Sequence, residues 1–148
     1  SIDPSRLMVE ITEHATLSRR AGGGRVAPDH TLDELRAMAA SLCLDDFGTG
    51  YSSLTHIRRY PLRSIKIDRS FVAGVCDHAE DRAVVAAMVG MASALGLSVV
   101  GEGVETHEQA TALQELGCHL AQGYLIARPL APDDAGEWLR TRRADWRS

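Results

Sequence analysis

The chain has 148 residues, 45% hydrophobic and 24% charged, which suits one globular domain or part of one. A formal net charge of -4 speaks against a nucleic acid polymer as partner, since such binders need a concentrated positive surface. It leaves room for a small anionic ligand held by metal ions and a lysine.

No apolar run reaches the ~20 residues that cross a bilayer, and no signal peptide opens the chain. No membrane contact is expected from this segment, and the location implied is cytoplasmic. Cys43, Cys76 and Cys118 are widely spaced and odd in number. They form no CxxC pair and read as buried free thiols in a reducing cytosol.

The first strand is predicted at Leu7 to Ile11, after a loop at Ile2-Asp3-Pro4. Arg19 to His30 holds Gly22-Gly23-Gly24 and Pro28 and reads as a surface loop. It is no phosphate cradle, because no Lys-Ser or Lys-Thr follows the glycines. A helix is predicted over Thr31 to Ala40, a strand at Leu42-Cys43-Leu44, and a helix after Tyr51 that stops before Pro61. Ser64 to Ile67 is the third strand. From Glu80 to Leu95, the residues Val84, Met88, Met91, Ala92 and Leu95 mark the apolar face of a helix, and Gly96 offers its stop.

Leu97 to Val100 is the fourth strand. Thr106-His107-Glu108-Gln109 is a capping box that opens a helix through Leu116, ended by Gly117. His119 to Ala121 is a weaker fifth strand. Asp133 to Arg142 is a last helix, entered through Pro132, with Trp138 expected in the core. Arg142, Arg143, Trp146 and Arg147 read as a solvated tail.

Short apolar strands alternating with helices imply a parallel sheet with crossover helices. An open doubly wound sheet and a (β/α)8 barrel both fit that pattern. Glu10, Asp45, Asp46, Lys66, Glu102 and Gln122 each fall at or near a strand end. In a barrel those ends surround one pocket, which favours the barrel. Five strands cannot close an eight-stranded barrel. The expected fold is therefore α/β: a partial (β/α)8 TIM-type barrel of C-terminal strands and helices.

The strongest chemical signal is Asp45-Asp46-Phe47-Gly48-Thr49-Gly50-Tyr51-Ser52-Ser53-Leu54. Adjacent carboxylates repel unless cations lie between them, and oxygen-only ligands suit Mg2+ or Mn2+. Asp46-Phe47-Gly48 also occurs in protein kinases, but the upstream kinase motifs are missing from the preceding residues. Glu10-Ile11-Thr12-Glu13 ends the first strand. Lys66-Ile67-Asp68-Arg69-Ser70-Phe71-Val72 places a lysine inside an apolar strand, where it needs an acidic or phosphate partner. In Gly101-Glu102-Gly103-Val104-Glu105-Thr106, the two glycines are expected to admit ligand or backbone close to Glu102. Gln122-Gly123-Tyr124-Leu125 follows. The six histidines form no HxH or HExxH pattern, which argues against a histidine metal site.

In this order the motifs resemble the EAL domain family, the cyclic di-GMP phosphodiesterases, from about Leu7 to Pro132. The resemblance implies that residues 1–148 are the C-terminal part of one such domain, with 133–148 its final helix and tail. It implies metal-dependent hydrolysis of cyclic di-GMP to linear pGpG, with two Mg2+ or Mn2+ ions. Carried over by motif, Glu10, Asp45, Asp46 and Glu102 resemble metal ligands, with Asp45 the bridge between two ions. Glu102 is alternatively similar to the general base. Lys66 resembles the lysine at the nucleophilic water and phosphate. Gln122 is similar to the glutamine of the water network, and Glu13 to the anchor of the Asp-Phe-Gly loop. Family dimers imply a homodimer through Ser52 to Arg59.

Several positions depart from the family. Neither the Glu-Ala-Leu motif nor a later metal-binding asparagine is found in this chain, so the isolated chain is expected not to hydrolyse cyclic di-GMP. Its open sheet edges are expected to aggregate or pair. Arg63 stands where aspartate is usual, Gly101 for alanine and Ile126 for phenylalanine. A non-catalytic domain that binds cyclic di-GMP, or a dimerisation module, is the alternative reading.

Overall fold

The computed structural model describes residues 3–12, 34–35, 37–49, 57 and 60–141. The 19–30 loop, Glu13, the 142–148 tail and all of the predicted 52–59 helix but Ile57 lie outside the described residues; of the predicted 31–40 helix, residues 34, 35 and 37 are helical and 38–39 form a turn.

Five parallel strands form one sheet: β1 (Met8–Thr12), β2 (Ser41–Phe47), β3 (Leu62–Ile67), β4 (Ser98–Glu102) and β5 (Leu120–Gln122). They lie side by side in chain order and every neighbouring pair is parallel. A doubly wound sheet reverses its strand order at a switch point. Here the order never reverses, and helices pack on one face, which is the arrangement of a barrel wall. The fold is α/β, a five-strand portion of a TIM-type barrel.

Side chains alternate across a strand, so the register divides the residues between two faces. The outer face carries Leu44, Ile65, Ile67 and Val99, all buried in the main apolar cluster. Over it lie helices α1 (Arg69–Gly74), α2 (Ala79–Ala94) and α3 (His107–Glu115), which bring Val72, Val85, Met88, Val89, Ala92, Ala110 and Leu113 into the same cluster. The inner face carries Met8, Glu10 and Thr12 of β1, Cys43 and Asp45 of β2, Ser64 and Lys66 of β3, Val100 and Glu102 of β4, and Leu120 and Gln122 of β5. Met8 and Leu120 on that face are 46% and 48% exposed.

The helices begin and end largely as their sequences dictate. Asp68 caps α1 by accepting from the Ser70 amide. Thr106 and Gln109 form the predicted capping box of α3. Gly96 and Gly117 take the left-handed conformation that ends α2 and α3.

The buried stripe of α2 differs from the expected one. It runs through Val85, Met88, Val89 and Ala92, whereas Val84 and Met91 are half-buried and Leu95 is exposed. The helix is apolar on most of its circumference, so packing rather than pattern chooses the stripe. The last helix, α4 (Pro132–Thr141), buries none of its residues, and Trp138 is half-buried rather than a core residue. Of the three free cysteines, Cys43 and Cys118 are buried as expected but Cys76 is exposed in the turn after α1.

The glycines of the fourth motif also serve packing. A Cβ on Gly101 would lie 2.7 Å from Leu113 Cδ1, and one on Gly103 would lie 2.6 Å from Arg69 Cβ. Leu113 thus occupies the space of the methyl group usual at position 101. Gly101→Ala should cost about 1–3 kcal/mol and Leu113→Ala about 2–5 kcal/mol in urea unfolding. The double variant should be more stable than the sum by about 1 kcal/mol, because the new methyl enters the space that Leu113 vacates. Strict additivity would show that Leu113 does not fill the space above Gly101.

Candidate active site

The C-terminal ends of β1 to β4 converge on Lys66. Its ammonium lies 2.6 Å from Glu102 Oε1, 2.9 Å from Glu10 Oε1 and 3.1 Å from Asp45 Oδ1. Lys66 is 5% exposed, so its three N–H donors are spent on three carboxylates from three different strands. Burial works against the ammonium charge. The hydrogen bonds to Glu102, Glu10 and Asp45 outweigh it and hold the Lys66 pKa above its ordinary value. Burial also raises the Glu102 pKa, helped by the charges of Asp45 and Glu10 and opposed by Lys66. Removing one partner from a buried pair of this kind typically costs about 3–5 kcal/mol.

A bulge in β2 brings Asp46 into the group. Leu44 pairs with Ile65 and Phe47 with Ile67, so β2 spends one residue more than β3 over the same span. Asp46 absorbs the extra residue with φ at 54°, in the left-handed region. Strict alternation would turn Asp45 and Asp46 to opposite faces. With the bulge, oxygens of Asp45, Asp46 and Glu102 lie within 4.8 Å of one another, and Phe47 still returns to the outer core. The turn is held by the Asp46 amide donating to Asp45 Oδ1 and by Thr49 donating through its amide and hydroxyl to the Asp46 carbonyl.

Gly48 follows with φ at 101°, and a Cβ there would collide with the Met88 methyl. Asp45, Asp46 and Glu102 offer only oxygen donors, half-buried, in the number and spacing that a hard divalent cation uses. The residues fit such an ion.

The structure brings together five of the seven predicted site residues: Glu10, Asp45, Asp46, Lys66 and Glu102. Glu10 joins through Lys66 and is not one of the three clustered carboxylates. Gln122 is the register partner of Glu102 on β5, and its exposed side chain lines a neighbouring cavity of about 460 Å³. Glu13 lies outside the described residues.

The sequence reading quoted within its motifs, but gave no part in a cavity to, Arg69 and Ser70 at the start of α1, Gly103 and Glu105 after β4, Gln109 on α3, and Tyr124. Helix starts and loops carry no periodic signal that would have singled them out. The sequence reading also gave no role to Gly123, where a Cβ would collide with the Val104 backbone. There the chain after β5 folds back on the chain after β4, with Val104 donating to the Gln122 carbonyl and accepting from Leu125. The Arg128 guanidinium lies 4.5 Å from the Tyr124 ring centroid at the edge of the cavity.

A parallel barrel wall with carboxylates and a lysine at its C-terminal strand ends defines a barrel-type domain with an acidic, cation-ready centre. The chain belongs to the EAL domain family, whose model matches residues 1–129. It is 41% identical over 139 residues to the cyclic di-GMP phosphodiesterase PA2567 of Pseudomonas aeruginosa, covering 94% of this chain and 23% of that protein. Among solved structures it resembles the c-di-GMP complex of the PaMucR phosphodiesterase, with a TM-score of 0.77 and 39% identity over 90% of this chain and 52% of the other. It also resembles the manganese and cyclic di-GMP complex of Klebsiella pneumoniae BlrP1, with a TM-score of 0.76 and 34% identity over 86% of this chain and 31% of the other. The chain therefore spans about a quarter of the length of that curated relative and about half of the PaMucR chain.

Asp46 joins two roles that substitution can separate. Asn tolerates the left-handed conformation and Val does not. Asp46→Val should cost about 1–2 kcal/mol in urea unfolding, while Asp46→Asn should stay within ~0.5 kcal/mol of the unaltered chain. Both should bind Mn2+ more weakly. Undiminished Mn2+ affinity in the Asn variant would remove Asp46 from the cation site.

Proposed function

We propose that this chain carries metal-holding and proton-handling residues of a phosphodiesterase that opens cyclic di-GMP to linear pGpG. The carrying observation is the meeting of three clustered carboxylates, Asp45, Asp46 and Glu102, with the buried ammonium of Lys66. The phosphodiesterase names of the relatives support the same reading.

Asp45, Asp46 and Glu102 would hold Mg2+ or Mn2+, and Glu10 extends the acidic set toward a second ion. Bound there, such ions would polarise a phosphoryl oxygen and make water nucleophilic at neutral pH. Lys66 offsets negative charge gathering on the phosphoryl oxygens, from a site too buried for water to screen it. Glu102 would hold the ion or, alternatively, accept a proton from the attacking water. Gln122, one strand over, presents an amide at the wall of the cavity, where it can orient water or ligand. The cavity is large enough for part of a nucleotide, and Tyr124 offers an aromatic surface beside it.

The same reading makes residues 7–132 the matched core and 133–148 a final helix and tail. It includes a homodimer through residues 52–59 and a cytoplasmic domain. Among the described residues no helix is long and apolar enough to cross a membrane.

The test is turnover in a complete eight-stranded domain that includes this chain, with pGpG followed by chromatography. Asp45→Asn should lower the rate by about a hundredfold or more, because loss of ion-derived stabilisation amounts to several kcal/mol. A variant that keeps its rate would sink the assignment. Tight cyclic di-GMP binding without turnover by the unaltered domain would replace the enzyme with a nucleotide sensor. The 148-residue chain alone, with five barrel strands among its described residues, should release no pGpG.

A further inference from the structure

Two of the carboxylates that grip Lys66 are also two of the three that cluster for a cation. Asp45 and Glu102 belong to both sets, while Glu10 belongs only to the lysine and Asp46 only to the cluster. An ammonium and a divalent ion therefore draw on the same pair of side chains. The pair lies on adjoining inner-face strand ends that are half-buried. A second cation placed among Asp45, Asp46 and Glu102 comes within a few ångströms of the ammonium, where like charges repel strongly because little water screens them.

Three carboxylates contact this one ammonium and a fourth, Asp46, clusters with two of them, so the ion-free site has an excess of negative charge. Lys66 offsets part of it. Glu10 is the most exposed of its partners, with 47% of its side chain open to solvent, and is the one free to follow the ammonium if it moves.

We propose that Lys66 is a tethered counter-ion, holding the ion-free site together and displaced from Asp45 and Glu102 when a divalent cation binds. The inference rests on the metal-site reading above and adds an order of events to it. Before loading, all three lysine donors are engaged within the protein. Loading frees two of them, so the lysine becomes available to an anionic ligand only once the carboxylates have another cation. Substrate phosphate thus meets a free ammonium in a loaded site and a sequestered one in an empty site. Glu10 keeps the freed ammonium near the centre in the interval.

The experiment is a Mn2+ titration of the 148-residue chain, read by the electron paramagnetic resonance of the free ion, for the unaltered protein, Lys66→Met and Arg69→Met. Lys66→Met should bind Mn2+ about tenfold more tightly than the unaltered chain, since the competing charge is gone. Arg69→Met removes one positive charge from the cavity wall without touching the three carboxylates. It should change the affinity by less than about twofold, as expected of an exposed charge screened by water. Equal affinity in Lys66→Met, or an equal gain in Arg69→Met, would overturn the exchange and leave the metal-site reading standing. Failure of both the unaltered chain and Lys66→Met to bind Mn2+ would overturn that reading and the exchange with it.

A second measurement needs no substitution and holds whether or not Lys66→Met folds. In 15N NMR, the Lys66 Nζ signal of the unaltered chain should move, and its protons should exchange faster with water, as Mg2+ fills the site. A Lys66 signal unmoved at saturating Mg2+ would contradict displacement.

Discussion

The ammonium of Lys66 is the contact on which the site's geometry depends. It gathers carboxylates from β1, β2 and β4 onto a lysine of β3, across four adjoining strands of the sheet. Taken alone, each carboxylate would repel its neighbours and turn toward water. Taken alone, the lysine would be an unpaired buried charge. Together they form a closed polar group on a sheet face whose next layers are Cys43, Ser64 and Val100, all buried.

Stability and chemistry lie on opposite faces of the same sheet. Apolar strand residues meet α1 to α3 on the outer face, and that packing fixes the register of the strands. The register then sets which polar side chains share the inner face. One residue of slip would turn Lys66 and Glu102 outward and Ile67 inward, burying charge among leucine and valine. The outer core therefore positions the site without touching it. The β2 bulge is where the alternation is broken at the site; a second register shift, in which β3 spends the extra residue between Leu62 and Ser64, lies at the far end of the same pairing. The bulge turns Asp46 toward Asp45 and Glu102 at the cost of a left-handed backbone, and Thr49 and Gly48 secure the turn.

Much of this was legible in the sequence because each feature rests on local chemistry. Strand, helix and strand in repeating order, with acids at successive strand ends, gave the barrel wall. The capping box at Thr106 and the stops at Gly96 and Gly117 followed from side-chain and backbone rules that need no tertiary information. A lysine in an apolar strand called for acidic partners, and three are present.

The remainder depended on packing. The buried stripe of α2 was misjudged because alanines and valines surround the helix. Trp138 was expected in the core, yet α4 buries no residue. The glycines around Glu102 were read as room for ligand or neighbouring backbone; Gly101 admits the Leu113 side chain, and Gly103 the side chain and Cα of Arg69. The bulge at Asp46 was invisible, since an extra residue in one strand is defined only against its neighbour.

The central claim is that Asp45, Asp46 and Glu102 form one cation site shared with Lys66. Diffraction from crystals of the chain grown with Mn2+, recorded at the manganese absorption edge, tests it most directly. The account predicts an anomalous peak bonded to oxygens of all three carboxylates, with the Lys66 ammonium withdrawn from Asp45 and Glu102. No peak among them at saturating Mn2+, with Lys66 still bridging Glu10, Asp45 and Glu102, would contradict it.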